Sequence, residues 1–216
     1  MYDLEQQHSD MEALRTMQHE SFVENLPPLY RTMTFAAFGT RDVGSIDNAR
    51  SRALAWVNDY QKMKAGLYLT SQQRGTGKTH LALAIGHAMS ARGVPVKVLD
   101  VVSLLSQIRN GFEEHKPRID VERLGAAAPV LILDDLGAEK QSVWVSEQLY
   151  LLINSAIKSE TTLIITSNLD YKALAAKMDD RIVSRIIGAT DMVRMDGPDY
   201  RLEMYRERMD ERKEQR

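Results

Sequence analysis

Residues 65–80 read AGLYLTSQQRGTGKTH, and the fold is decided by how this stretch is parsed. Ala65 to Ser71 is a nearly continuous apolar run, as a strand buried on both faces requires. Gln72 to Gly77 places two glycines in a short polar loop. From Lys78, the run KTHLALAIGHAMSARG predicts a helix closed by Gly93 as its C-cap. A strand, a glycine loop and a helix in that order form a cradle for phosphate. Glycines let backbone N–H groups curl around phosphate oxygens, a lysine reaches the β/γ-phosphates, and a hydroxyl coordinates Mg²⁺. Gly75, Gly77, Lys78 and Thr79 fit those roles, with Gln73, Arg74, Thr76 and His80 completing the expected nucleotide-binding set. The full spacing asks for a glycine six positions before the lysine, where this chain has Gln72. The shortened string GK[ST] turns up by chance in roughly one chain in ten of this length. The weight of the motif therefore comes from the strand before it and the helix after it. A side chain at 72 is compatible with binding if the backbone there keeps φ below zero.

Reading onward, the pattern keeps alternating. VPVKVLDVV (94–102) predicts a strand, SLLSQIRNGF (103–112) a helix, and PVLILDDL (129–136) a strand ending in two aspartates. VSEQLYLLINSAIK (145–158) predicts a helix, TTLIITSNL (161–169) a strand, RIVSRIIG (181–188) a short helix and DMVRMDG (191–197) a last strand. The expectation is an α/β fold, a parallel sheet covered by helices on both faces.

Reading backward, a helix is expected from about Asp47 to Met63, with Ala53, Ala55, Trp56 and Tyr60 available to bury. LYRTMTFAAFGTRDVG (29–44) looks irregular, with two spaced aromatics, Phe35 and Phe38. Pro27 and Pro28 break any helix before it. Residues 1–26 carry Asp3, Glu5, Asp10, Glu12, Glu20 and Glu24 against Arg15 alone, and Leu4, Met11, Leu14 and Met17 recur at roughly helical spacing. That reads as an acidic amphipathic helix, packed on its own domain, frayed as a terminus, or docking a partner. The tail, 199–216, mixes both charge signs and reads as an exposed helix or a disordered end. The expected division is an N-terminal helical segment 1–29, an ATPase domain 30–200 and a charged tail 201–216.

Composition narrows the setting. The 216 residues suit one domain with a short appendage, and 44% of them are hydrophobic, enough for a sizeable core. A formal net charge of −2 gives no global basic field for nucleic acid or an anionic membrane. The absence of cysteine excludes disulfides, iron–sulfur clusters and thiolate zinc sites. No apolar run approaches the ~20 residues needed to span a bilayer, and the acidic N-terminus lacks a signal-peptide core. The expectation is a cytoplasmic protein with no membrane partner.

The chemistry-bearing residues lie at strand ends. Asp134 is expected to orient Mg²⁺ together with Thr79, and Asp135 to polarise the attacking water as general base. The alternative for Asp135 is a cap on the next turn. Asn168, following Thr166 and Ser167, is placed to hydrogen-bond that water or a γ-phosphate oxygen, or is an ordinary turn residue. Arg181 and Arg185 fall four apart on one helix face. Arg185 reads as an arginine finger for a neighbouring subunit, or as one half of a surface salt bridge. Arg201 is a further sensor of the γ-phosphate. Arg109, Lys116, Arg118 and Arg123 are DNA-facing candidates, or a solvated face. Base stacking asks for aromatics beside such charges, and Phe112 alone is near in sequence.

Taken in order, GTGKTHLA (75–82), VLILDDLGAEK (130–140), WVSEQLY (144–150), IITSNL (164–169), DRIVSRI (180–186) and DYR (199–201) resemble the replicative helicase loaders of the DnaC/DnaI type. The IstB-type transposition helper ATPases are close relatives of that group, and DDLGAEK is nearer the loaders. The resemblance covers about residues 28–201. It implies a P-loop AAA+ fold with strand order 5-1-4-3-2 and little or no separate lid. It implies ATP/ADP with Mg²⁺ between adjacent subunits of a ring or spiral, a replicative helicase as partner, and single-stranded DNA. It makes Asn168 sensor 1, Arg185 the arginine finger and Arg201 sensor 2. Gln72 departs from the family pattern, as does LLINSAIKSE (151–160), which lacks an Arg-Tyr pair common there. Two other functions fit the same motifs: a transposition helper on duplex DNA, and a nucleotide-dependent adaptor with little turnover.

Overall fold

The computed structural model of the chain describes the backbone of residues 2–39, 41, 43–63, 65–113 and 119–214, and the side chains of these except 2–5, 8, 112, 113, 207 and 210–214. In chain order the elements are α1 (Tyr2–Glu24), α2 (Phe35–Phe38), α3 (Gly44–Asn58), β1 (Gly66–Thr70), α4 (Lys78–Ser90), β2 (Val96–Asp100), α5 (Val101–Glu113), α6 (Val121–Gly125), β3 (Val130–Asp134), α7 (Val143–Lys158), β4 (Thr162–Ser167), α8 (Tyr171–Ala175), α9 (Asp180–Ala189), β5 (Thr190–Arg194) and α10 (Tyr200–Glu214). Short 3₁₀ turns occupy Pro28–Thr32 and Tyr60–Lys62.

All five strands run parallel in the order β2-β3-β4-β1-β5, the expected 5-1-4-3-2 sheet read from its other edge. The register aligns Thr70 with Ser167 and Arg194, and Asp100 with Asp134. The strands therefore end together along one rim, where α/β sheets bind ligands. Side chains alternate between faces. Leu67, Leu69, Val130, Ile132 and Ile164 pack under α3 and α4 with Ala53, Trp56, Leu81 and Ile85. Tyr68, Leu131, Leu133, Leu163 and Ile165 pack under α5, α7 and α9 with Leu104, Leu149, Ile153 and Ile186. Burial on both faces is why these strands read as unbroken apolar runs. Side-chain caps start several helices: Ser142 accepts from the Val145 amide, Asp170 from Ala173 and Asp120 from Arg123.

Upstream the structure departs from the sequence reading. The stretch 29–44 contains the first 3₁₀ turn and α2, the latter capped by Thr34 Oγ1 accepting from the Ala37 amide. The following helix begins at Gly44, earlier than expected, and buries Ala53, Trp56 and Val57 while Ala55 faces solvent. Of the N-terminal stripe, Met11, Leu14 and Met17 are exposed, and the Leu4 side chain lies outside those described. A spacing of three slips back by about 60° per step on an α-helix, so the stripe winds off one face. The end of α1 packs instead. His19 Nδ1 and Ser90 Oγ lie 2.7 Å apart, Phe22 meets His87 edge-on at 5.4 Å, and Leu26 is buried. Among the described residues, no helix is long and apolar enough to cross a membrane.

Candidate nucleotide site

The loop after β1 has the conformation a phosphate cradle needs. Gly75 and Gly77 stand at φ 71° and 97°, which favours glycine. At Gly75 a Cβ would also lie 1.7 Å from an Asp199 carboxylate oxygen. Gln72 is not among the residues with positive φ, so the missing first glycine is accommodated by ordinary backbone. Lys78, 8% exposed, opens α4 and folds its Nζ back to the Gln73 carbonyl at 3.0 Å. Burial holds its ammonium below the usual lysine value, a trend opposed by Asp135 and Asp134 and reinforced by Arg201. A buried ammonium bonded to a neutral carbonyl, at a helix N-terminus, is a position that favours an anion.

The aspartates at the tip of β3 face this loop. Asp134 Oδ1 accepts from Thr79 Oγ1 at 2.9 Å and from Thr166 Oγ1 at 2.6 Å. Burial raises the Asp134 pKa, and those two hydroxyls pull the other way. Asp135 sits at φ 60°, a left-handed position that aspartate tolerates. Its amide donates to Thr166 Oγ1 at 2.9 Å, and Asn168 Nδ2 donates to its Oδ1 at 3.3 Å. The tip of β4 is held in turn by Tyr68 and Thr70, whose hydroxyls both donate to the Leu169 carbonyl. Thr79, Asp134, Asp135 and Asn168 thus converge with Lys78. Thr79 and Asp134 offer the hard oxygen donors that Mg²⁺ prefers. Among the described residues no group of three or more His, Cys, Asp or Glu is arranged to hold a metal, so such an ion would take its other ligands from phosphate and water. Thr76 Oγ1 is buried at the loop without a hydrogen-bond partner, as is Arg41 Nε beside it.

The remaining expected residues fall in two places. Arg201 lies at the start of α10, exposed, close enough for its charge to act on Lys78. The segment leading to it closes over the loop: Gly197 N donates to Gln73 Oε1 at 3.2 Å and Tyr200 N to the Gly75 carbonyl at 3.1 Å. Arg74 is exposed, and the His80 ring meets the Thr34 carbonyl and packs T-shaped against Phe38. Arg185 stands outside this cluster, on α9. It donates to Asn154 Oδ1 and Tyr150 Oη, both at 3.1 Å, and stacks over the Tyr150 ring.

Three contributors were not identified from sequence. Arg41 donates to the Thr76 carbonyl at 3.2 Å and lies between the rings of Phe38 and Tyr200, at 4.3 and 4.1 Å. Tyr30 comes near the aspartates, and burial with the charges of Asp134 and Asp100 pushes its phenol up to about 12. Trp144, at the start of α7, faces Arg109 of α5 with the guanidinium 5.2 Å from the ring. The spaced aromatics of the 29–44 stretch hinted at the first two, and Trp144 opens the WVSEQLY run with no role assigned to it. Lys116 and Arg118 lie outside the described residues.

The sequence profile of the IstB-like ATP binding proteins matches residues 3–208. A relative named replicative helicase loader DnaC, from Buchnera aphidicola, is 26% identical over 133 residues, 61% of this chain and 54% of its own length. A protein of an insertion sequence of Mycobacterium tuberculosis, named for ATP binding, is 31% identical over 134 residues, 59% of this chain and 52% of its own. The chain thus spans about half the length of either relative. The crystal structure of DnaI superposes with a TM-score of 0.66 at 25% identity, covering 81% of this chain and 94% of that one.

Proposed function

Because the chain belongs to the IstB-like ATP binding protein family, we propose that it binds ATP with Mg²⁺ at the Lys78 loop, hydrolyses it, and uses the cycle to load or remodel a replicative helicase on single-stranded DNA. The observation that carries the reading is the meeting of Thr79, Asp134, Asp135 and Asn168 beside the buried Lys78. In it, the loop amides and Lys78 bind the β- and γ-phosphates. Thr79 and Asp134 would hold the magnesium ion, which when bound would supply charge to offset that developing on the phosphates. Asp135 accepts a proton from the attacking water, and Asn168 keeps that carboxylate oriented. Arg185 projects from the opposite helix layer to serve a neighbouring subunit, and Arg201 reports the γ-phosphate within its own. Assembly into a ring or spiral is part of the proposal.

The helicase assignment draws on the DnaC relative and on the likeness to DnaI. The DNA assignment is supported by exposed Arg109 beside the ring of Trp144, which is half-buried against the core, a cation next to an aromatic of the kind single strands use. The relative from an insertion sequence favours a second reading, a transposition helper on duplex DNA. One set of assays separates them. The loader reading expects phosphate release stimulated by single strands, tighter binding to single strands than to duplex at fixed salt, and co-purification with a replicative helicase that differs between ATP and ADP. A duplex preference without helicase capture would favour the transposition reading. Nucleotide binding with no turnover would leave a nucleotide-dependent adaptor.

A further inference from the structure

Glu139 is a buried carboxylate that the hydrolysis scheme leaves unused. It is 6% exposed, and none of the ion pairs among the described residues includes it. A carboxylate buried without a cation is costly unless hydrogen bonds satisfy it. Here they come from two sides. Oε2 accepts from the Gly137 amide at 2.9 Å, and Oε1 accepts from Gln141 Nε2 at 2.7 Å.

Both bonds are local, each to a residue two positions away, and together they brace the 137–141 connector between β3 and α7. Upstream is the turn that carries Asp135. The Ala138 amide closes it onto the Asp135 carbonyl at 3.2 Å, and the Leu136 amide ties it to the Thr166 carbonyl at 2.9 Å. Gly137 stands at φ 91°, pressed so closely on the sensor strand's exit that a Cβ there would lie 2.9 Å from Leu169 Cδ1. Downstream, Gln141 precedes Ser142, the N-cap of α7. The first turn of α7 carries Val143, 79% exposed, and the Trp144 that faces Arg109. Glu139 is the hydrogen-bonded link between the two.

We propose that Glu139 is a positioning residue that couples the Arg109–Trp144 surface to Asp135, so that a single strand seated on Trp144 steadies the turn holding the general base. The coupling rests on reading that surface as the nucleic-acid contact. A chain of hydrogen bonds can carry such coupling, and each bond in it makes a separate prediction.

The test compares Glu139→Ala, Glu139→Gln and Gln141→Ala in the full chain, with an oligothymidylate as the probe. Glu139→Ala frees the Gly137 amide. Basal turnover should fall roughly tenfold, nucleotide affinity should stay within about twofold, and the Gly137 amide should exchange faster with solvent. Glu139→Gln keeps an oxygen for that amide while Gln141 turns its own amide to match, so it should behave nearly as wild type. Gln141→Ala cuts the α7 side alone. It should preserve basal turnover and lose stimulation by the oligonucleotide. Stimulation that survives in Gln141→Ala overturns the coupling. Turnover and Gly137 exchange unchanged in Glu139→Ala overturn the positioning role, as does a loss of nucleotide affinity in step with turnover. A Glu139→Gln variant as impaired as Glu139→Ala also counts against it. If the wild type ignores the oligonucleotide in both binding and turnover, the nucleic-acid reading fails separately, and the grip of Glu139 on the turn is then judged on basal rate and Gly137 exchange alone.

Discussion

Lys78 carries a positive charge into a position where its hydrogen bond is to a neutral carbonyl, and Asp135 and Asp134 are its chief electrostatic support. A phosphate oxygen is a better partner than the Gln73 carbonyl, since charge-assisted bonds are the stronger ones. Lys78→Ala should cost about 2 kcal/mol of nucleotide binding, roughly thirtyfold in Kd, read by fluorescent-nucleotide titration. Unaltered affinity would remove the loop from the site. Arg185 makes the opposite case. Its guanidinium is held by Asn154 and Tyr150 and contacts nothing in its own chain's phosphate loop. Arg185→Ala should therefore leave nucleotide affinity intact and depress turnover of the assembled protein by about a thousandfold, the effect of removing an arginine finger. Mixing experiments check this: a variant defective in its own Lys78 loop should restore the activity of Arg185→Ala subunits by lending them its arginine. No rescue would reduce Arg185 to a brace for Tyr150. The residues whose meeting was legible in sequence were those marked by a local string: Lys78 and Thr79 after glycines, two aspartates after four apolar residues. Arg41 and Trp144 were not, because the fold brings each to its partners from distant parts of the chain: Arg41 NH1 to the Thr76 carbonyl 35 residues on, and Trp144 to Arg109 on a different helix.

At the scale of elements, the inner strands β1, β3 and β4 were readable because burial on both faces forces continuous apolar runs, while the edge strands β2 and β5 are partly exposed and were placed by the alternation of strands with helices. The five-residue helices α6 and α8 were not, since so short a stretch carries little periodicity. The N-terminal helix was found with its contact left open: His19 and Phe22 near its end, with Leu26 just beyond it, do the packing, and polar side chains are part of it. That contact has a pH signature. Burial, reinforced by neighbouring His19 and opposed by the bond to the Tyr30 carbonyl, lowers the His87 pKa from 6.5. The folded chain therefore keeps His87 neutral at a pH where the unfolded chain has taken up the proton. Stability falls as pH drops through about 6.5 and is fully present above it. Thermal unfolding followed from pH 7.5 down to about 5.5 should show that decline, with accessibility of α1 to protease rising alongside. His87→Gln keeps a donor for Tyr30 without a titration and should flatten the slope. Part of the slope should remain, because burial lowers His80 in the same direction. An unchanged slope in His87→Gln would assign the acid sensitivity elsewhere.

Across the whole molecule, the N-terminal helix has two unlike halves, and they make separable predictions. Residues 9–17 are exposed, with Met11, Leu14 and Met17 each at least half accessible, while the stretch from Gln18 to Leu26 lies partly against α4 beside the edge strand β2. Leu14 and Met17 also form one wall of a groove whose other wall is Val94 to Val98. Removing residues 1–17 takes away the Arg15 stem from Gly93 and the exposed stripe, so surface-type effects within about 0.5 kcal/mol are expected. Removing residues 1–26 deletes the His19–Ser90 contact, the Phe22 ring and buried Leu26, and leaves His87 and Gly86 uncovered. Loss of packing on that scale is worth about 2–5 kcal/mol and should lower the melting temperature by several degrees. If the exposed half is what grips a helicase, the shorter deletion should abolish co-purification while the melting temperature and nucleotide affinity stay at wild-type values. Helicase capture surviving the shorter deletion would move the docking surface to the groove's β2 side or off this end of the molecule. A shorter deletion that melted as low as the longer one would mean that residues 1–17 pack on the domain after all.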